Sequence, residues 1–481
     1  MADVERVVAT LKDEEPRSIE RLREWLRIPS VGTDPAHNDD TRRAGQWAAD
    51  FLRGIGVDAS LRETGTKAKP GHPIVWAQHP GSKDYQGPHV LFYGHYDVQP
   101  PDPLELWESP PFEPIIKPAI PDGPGERIVA RGACDDKGQV ATFLEAMRAW
   151  HSATGEVPMK VTILLEGEEE SGSSNLEPFL REHEAELRKC DVCLISDTGM
   201  LGRGRTAITY GVRGLAYTQV TLHGPDQDLH SGLWGGRVPN PINELSKVLA
   251  QLWDDRRRVT IPGFYDGVRN LPDEVRSAWA ELGFDQVAAL KKIGLGPDAD
   301  VGEAGFTAIE REWARPTCDI NGIWGGYQGP GAKTVIASKA TAKVSFRLVD
   351  DQDPHEIAMA FKAWLEARTP AGCRFEFDEL HGGAPATVAT DSPHLQAARR
   401  ALSAVGGQSG GGAPLIKTGG SIPIVGLFKT LLGLDTILMG FGLDDDRVHS
   451  PNEKFELDCF RLGSEAHVRL VEAFSEMGAT A

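Results

Sequence analysis

Long apolar runs are absent from this 481-residue sequence. None approaches the roughly 20 residues of a membrane span, so neither a transmembrane helix nor a membrane partner is expected. Cysteine is scarce, and six in so long a chain do not make a disulfide framework. Cys190 and Cys193 do form C-x-x-C, but within KCDVCLIS, which reads as a strand, and no second pair lies nearby. Two buried thiols are expected there rather than a zinc or redox site. Positive charge is short as well: 51 Lys and Arg against 70 Asp and Glu leave a net charge of −19. Such acidity disfavours nucleic acid and anionic membranes as partners. The opening MADVERVVATLKDEE lacks the basic region and apolar core of a signal peptide, so a cytoplasmic location is expected. No internal repeat is visible.

What is present is a 40% hydrophobic composition, suited to a substantial core, and a pattern that changes along the chain. Residues 3–27 read as helix, with Ile19, Leu22, Trp25 and Leu26 at helical spacing and Pro16 bending or beginning part of it. A second helix is expected at 40–55 and strands at 73–78 and 88–94. A further helix starts near Lys137, where Val140, Phe143, Leu144 and Met147 share one face. KVTILLEG (160–167) and DVCLIS (191–196) read as buried strands with a helix between them. This alternation predicts an α/β domain with a mostly parallel central sheet. The middle third differs. ITYGVRGLAYTQVTLHG (208–224) and KTVIASKATAKVSFRLV (333–349) alternate as strands, with helical patterns at 241–256, 272–293 and 354–368, an α+β arrangement. After about 388 the first pattern returns. A helix is expected at 392–404, a glycine-rich turn GGQSGGGAP at 406–414, a strand DTILMGF at 435–441 and a helix at 458–475. The expected organisation is a catalytic domain in two parts, 1–209 and 388–481, interrupted by an inserted domain at 210–387.

In open α/β sheets, ligands gather beyond the carboxyl ends of the strands. VLFYGHYDVQP (90–100) ends a buried strand in His95 and Asp97, which at i and i+2 point to the same side, with Gly94 leaving room beside them. Asp135 and Asp136 follow ERIVARGA; Glu168, Glu169 and Glu170 follow VTILLEG; Asp197 follows CLIS; His449 follows TILMGF, in GLDDDRVHSPNE. Five successive segments thus offer histidine or carboxylate at the same end of one sheet. Each has a plainer reading alone: a hydrogen-bonded structural histidine, a helix cap at Asp135 and Asp136, a solvated acidic loop, a solvent-facing His449. Together they require a cation, because like charges converging on one rim repel. Two histidines with several carboxylates suit zinc, with manganese or cobalt as alternatives. One carboxylate bridging two ions about 3.5–4 Å apart would hold a hydroxide for attack, and a further glutamate would serve as general base.

YGHYDVQP, RGACDDKG, LLEGEEESGS, LISDTG and DDDRVHSPNE together resemble the dinuclear zinc exopeptidase family. That family includes acetylornithine deacetylase, succinyl-diaminopimelate desuccinylase, carboxypeptidase G and the carnosine dipeptidases. The likeness extends over nearly the whole chain. DLHSGLWGG (228–236), GAKTVI (331–336), FRLV (346–349) and GGSIPI (419–424) resemble its cytosolic non-specific and carnosine dipeptidase branch. The resemblance implies a zinc-exopeptidase-like catalytic domain, an inserted lid and dimerisation domain, a homodimer, and two divalent ions per subunit. It implies that Asp135 bridges the ions, that His95 and Asp197 complete the first site, and that Glu170 and His449 complete the second. Glu169 matches the general base; aligned backwards from SG, the triple EEE leaves Glu168 over. Asp97 would orient the His95 ring by a hydrogen bond. His230 resembles the histidine that reaches the neighbouring subunit's active site and polarises the scissile carbonyl. Arg347 resembles the lid arginine that holds the substrate carboxylate. Gly420 and Ser421 lie where backbone N–H groups would bind the same carboxylate, with Thr334 helping from the lid. Lys417 and Thr418 depart from the arginine and glutamate usual before GGS. Tyr96 stands where relatives often have a smaller residue, and would narrow the mouth of the site.

The activity so implied is metal-dependent hydrolysis of the amide bond of small peptides, dipeptides above all. An N-acyl or N-carbamoyl amino-acid amidohydrolase with the same site is the alternative. A metal-binding protein without catalysis is disfavoured by the intact base position. A dinuclear phosphoesterase is disfavoured because no motif beyond the metals points to phosphate.

Overall fold

The computed structural model describes residues 2–121, 123–406 and 412–478, so most of the glycine-rich stretch at 406–414 lies outside the described residues. The chain divides into two compact units. One comprises residues 1–210, 388–415 and 428–481; the other comprises 211–387 and 416–427. The segment 416–427 differs from the expectation, which kept it with 388–481. Its bonds explain why. The Arg213 guanidinium donates to the Gly419 carbonyl at 3.0 Å and the Arg213 backbone N–H to Gly420 at 3.3 Å. Gly426 lies so close to Ala384 that a Cβ there would sit 2.7 Å from the carbonyl oxygen.

In the first unit, four strands run parallel in the order Lys160–Glu166, Val90–His95, Val192–Ile195, Thr436–Leu438. Ile74–Pro80 and then Asp58–Arg62 extend one side antiparallel, and Ile208–Val212 joins Thr436–Leu438 antiparallel on the other. All six residues of Val90–His95 are buried, as are all four of Val192–Ile195. That is why these strands read as unbroken apolar runs rather than alternating ones: helices cover both faces of a parallel sheet. The helix Lys137–Thr154 is buried along most of its length, and Phe143 stacks on Phe92 with ring centroids 3.8 Å apart. The N-terminal stretch forms two helices, Ala2–Asp13 and Glu15–Leu26, with Pro16 in the first turn of the second, where a missing N–H costs nothing. The buried C-x-x-C cysteines are free thiols.

One expectation needs correction. The segment before Asp135 does not belong to the central sheet. Arg127–Val129 pairs with Ile115–Lys117 and Lys454–Glu456 in a separate three-stranded antiparallel sheet. Asp135 and Asp136 instead arrive on the loop that enters the helix Lys137–Thr154. Three residues of ERIVARGA are too few to reveal which sheet they join.

The second unit is an antiparallel sheet in the order Thr317–Gly325, Lys339–Leu348, Gly214–His223, Arg374–Gly383. The helices Pro241–Leu249 and Pro354–Glu366 help cover one face, over a core that includes Val220, Leu245, Phe264, Phe346 and Phe361. Asn240 and Asp353 cap these helices by accepting the N–H groups of Ile242 and Glu356. The two outer strands were not anticipated, because most of their residues are exposed and only a short stretch, Phe375 and Phe377, alternates towards the core. Among the described residues, no helix is long and apolar enough to cross a membrane.

Candidate metal centre

The strand Val90–His95 delivers His95 fully buried at its carboxyl end, where its Nε2 lies 3.0 Å from Asp135 Oδ1 and 3.7 Å from Asp197 Oδ2. The neighbouring strands Lys160–Glu166 and Val192–Ile195 run in the same direction, so their carboxyl ends bring Glu169, Glu170 and Asp197 to the same place. His449 comes from the turn after Thr436–Leu438, and its Nε2 lies 2.9 Å from Asp135 Oδ2 and 3.3 Å from Glu170 Oε2. Two ligand sets result: His95, Asp135 and Asp197, and Asp135, Glu170 and His449. Asp135 belongs to both and offers one oxygen to each side. The His449 turn holds Arg447, His449 and Asn452 at positive φ, a conformation that costs a non-glycine residue on the order of 1 kcal/mol. Glycine is required at position 94, since a Cβ would come within 2.4 Å of Val140 on the helix behind.

The electrostatics follow from this crowding. Burial alone would lower the His95 ring, yet the Asp135 and Asp97 carboxylates raise it well above the usual histidine range. The His449 ring is raised to about 10 by its bonds to Asp135 and Glu170. Burial pushes the Asp135 carboxyl up, but the two rings hold it below its ordinary value. Burial, then the Asp135 charge, raises Asp197 well above its own. The field that raises both histidines is the field a divalent cation would meet. His95 Nε2 is a buried nitrogen with no hydrogen-bond partner, aimed between two carboxylates. Neutral imidazole nitrogens with clustered carboxylate oxygens are a donor set that fits zinc, manganese or cobalt.

The three glutamates after the strand part company. Glu168 is turned away, its carboxylate accepting the His72 N–H at 2.9 Å and the Asn175 amide. Glu170 joins the cluster, steadied by the Gln99 amide at 2.7 Å. Glu169 stands between them, its carboxyl pushed up to about 7 by burial and by the charges of Glu170, Asp97 and Asp135, against the pull of His95. Asp97 differs from expectation. Its backbone carbonyl, at 3.1 Å, accepts the hydrogen bond of His95 Nδ1, while its carboxylate lies 3.5 Å from that nitrogen. The carboxylate instead accepts the backbone N–H groups of Glu169 and Glu170, at 3.2 and 3.1 Å. Tyr96 also differs: it is fully buried and its hydroxyl donates to the Pro73 carbonyl, so it does not narrow any mouth.

In the second unit, Arg347 donates to Ser421 Oγ at 2.7 Å, next to Gly420, whose N–H donates to Thr418 Oγ1 at 3.2 Å. His230 is exposed, and its Nδ1 accepts the Gly232 N–H at 3.0 Å. Thr334 lies beside it, its carbonyl accepting the Ser231 N–H. Lys417, the departure from the branch, runs along Gly211, and burial lowers its ammonium below the usual value.

The sequence reading gave Asp136 no role beyond the rim cluster or a helix cap, and did not single out Glu453. Asp136 is fully buried; one oxygen accepts the His95 N–H at 3.2 Å and the other has no hydrogen-bond partner. Glu453 is fully buried beside the Asp135 loop. Its only signal was its place in HSPNE, four residues after His449.

This chain is 32% identical to the Cys-Gly metallodipeptidase of Candida albicans, over 95% of this chain and 96% of that protein. It is 28% identical to the human Beta-Ala-His dipeptidase, over 94% of this chain and 89% of that protein. Among solved structures, the di-peptidase Dug1p of Saccharomyces cerevisiae is similar with a TM-score of 0.81 and 26% identity, covering 99% of this chain and 100% of that one. Residues 91–473, which contain the whole cluster, match Peptidase family M20/M25/M40, and the chain belongs to that family.

Proposed function

We propose that this metallodipeptidase cleaves the amide bond of dipeptides at the cluster centred on Asp135, with two divalent ions held there and Glu169 as general base. The carrying observation is the pair of ligand sets that share Asp135. His95, Asp135 and Asp197 would hold one ion and Asp135, Glu170 and His449 the other, with zinc first in fit and manganese or cobalt next. Ions so held supply Lewis acidity, activating a water and polarising the scissile carbonyl. Glu169, its carboxyl pushed up to about 7, is poised to take a proton and return it to the leaving amine. Asp97 steadies the backbone of that glutamate, and Gln99 steadies Glu170. Arg347 with Ser421, Gly420 and Thr334 receives the substrate's terminal carboxylate. His230 accepts the Gly232 N–H at Nδ1, which leaves Nε2 as the donor nitrogen. That N–H donates to the scissile carbonyl of a substrate in the neighbouring subunit's active site, in a homodimer formed through the second unit.

The test is hydrolysis by metal-stripped protein refilled with zinc or manganese. The panel holds Cys-Gly, β-alanyl-histidine and other free-amine dipeptides beside N-acetyl and N-carbamoyl amino acids. Metal-dependent release from the free-amine dipeptides is expected. Turnover confined to the N-blocked compounds would move the protein to the amidohydrolases.

A further inference from the structure

Glu453 is a fully buried carboxylate for which the proposed chemistry has no use. Its Oε1 accepts the backbone N–H groups of Cys134 at 2.9 Å and Asp135 at 3.0 Å. Its Oε2 accepts the Gly132 N–H and the Arg131 guanidinium, both at 2.9 Å. Four donors occupy the roughly four lone-pair positions of a carboxylate, so Glu453 is no metal ligand itself. All four come from residues 131–135, the stretch that leads into the shared ligand. The backbone continues the join: the Glu453 carbonyl accepts the Ala130 N–H at 3.1 Å, and Lys454–Glu456 pairs with Arg127–Val129. Burying a charge is costly unless it is fully paired, so a carboxylate placed here points to what it holds. On one side it holds the backbone before Asp135. On the other lies the turn of His449, whose Nε2 is 2.9 Å from Asp135 Oδ2.

We propose that Glu453 is a positioning residue for the metal ions: it locks the Gly132–Asp135 backbone to the His449 turn, so that two ligands on distant segments arrive preassembled. This rests on the reading of Asp135, Glu170 and His449 as a metal site. Partners that orient ligands from behind typically contribute about 10–100-fold in metal affinity.

The test titrates metal-stripped protein with zinc against a chelating indicator, with far-ultraviolet circular dichroism and thermal melting to confirm the fold. Wild-type protein is expected to take two ions per chain. Glu453→Gln turns an amide NH2 towards donors, and at least one site is expected to weaken by about 10–100-fold. Glu453→Asp keeps the charge but shortens the reach, and is expected to fall between. Glu456→Gln is the control: it removes a buried carboxylate three residues on, in the strand that follows, which bonds Arg203 and Lys454 instead. It is expected to lower the melting temperature and leave metal affinity unchanged. Wild-type affinity at both sites in whichever Glu453 variant folds overturns the proposal. So does an equal loss in Glu456→Gln, or failure of both Glu453 variants to fold with zinc present, since either assigns Glu453 to general stability. If wild-type protein itself takes fewer than two ions, the underlying metal reading fails instead.

Discussion

The two units hold their candidate residues in opposite ways. In the first, His95 and Asp97 are buried, Asp135, Glu170 and Asp197 are largely so, and each lies within 4 Å of an oppositely charged member of the cluster or bonds backbone beside it. His449 alone stands half in solvent. In the second, His230 and Thr334 are exposed and the Arg347 guanidinium donates to Ser421 Oγ. Groups locked before a substrate arrives stabilise developing charge without reorganising, which suits bond breaking. Groups left loosely held are ordered by what they bind, which suits recognition. On this contrast, damage to the first unit should appear in metal content and turnover, and damage to the second in apparent affinity.

The sharpest way to break the contrast is Asp135→Ala. It is expected to lose both ions and to bring hydrolysis to background, checked by metal analysis beside the rate. Retention of one tight ion with measurable turnover would show that the two sites do not depend on a shared carboxylate. Glu169→Gln comes next: a fall of about 10²–10⁴ in kcat with both ions still bound, measured by steady-state kinetics on zinc-loaded protein. Arg347→Ala probes the other unit. A hydrogen bond to a charged group contributes about 1.5–3 kcal/mol, so kcat/KM for dipeptides should fall roughly 10–100-fold, mainly through KM. A dipeptide amide should be cleaved equally by both forms, and a loss confined to kcat would place Arg347 in the chemistry instead.

The smallest effect concerns stability. His467 is fully buried behind the sheet, between Ser196 Oγ and Thr142 Oγ1, and burial holds its ring down at about 3. In the unfolded chain a histidine takes its proton near pH 6.5. The unfolded state therefore binds a proton that the folded state refuses. The stabilisation is fully present above about pH 6.5 and is lost as the pH falls from there towards 3. His467→Gln should flatten this part of the profile, read as a smaller shift in urea midpoint between pH 7 and pH 5 than wild-type protein shows.

The legible parts of the sequence were those where burial on two faces left an unbroken apolar run ending in a ligand-type residue. Val90–His95 and Val192–Ile195 are the plainest cases. The α/β class and the M20 relationship followed from such runs and the motifs after them. Exposed edge strands such as Thr317–Gly325 left no periodic trace, because solvent imposes no alternation. Asp136 and Glu453 were opaque for another reason. Glu453 is held mainly by backbone N–H groups, with one distant side-chain partner in Arg131, and Asp136 accepts one backbone N–H, so in sequence each looks like any polar loop residue. The split role of Asp97 was hidden likewise, since it depends on which of its oxygens faces which nitrogen.

The pairing of Lys454–Glu456 with Arg127–Val129 also bears on how the molecule is made. The second unit is nearly continuous in the chain, whereas the first must wait for strands separated by more than two hundred residues. Long-range pairings are slow because the loop must close before any contact rewards it. During synthesis the inserted unit can fold while the first unit holds His95, Asp135, Glu170 and Asp197 without His449. A half-made chain of this kind lacks one member of the second ligand set, Asp135, Glu170 and His449. Completion of the second ligand set is thereby deferred until residue 449 has been translated.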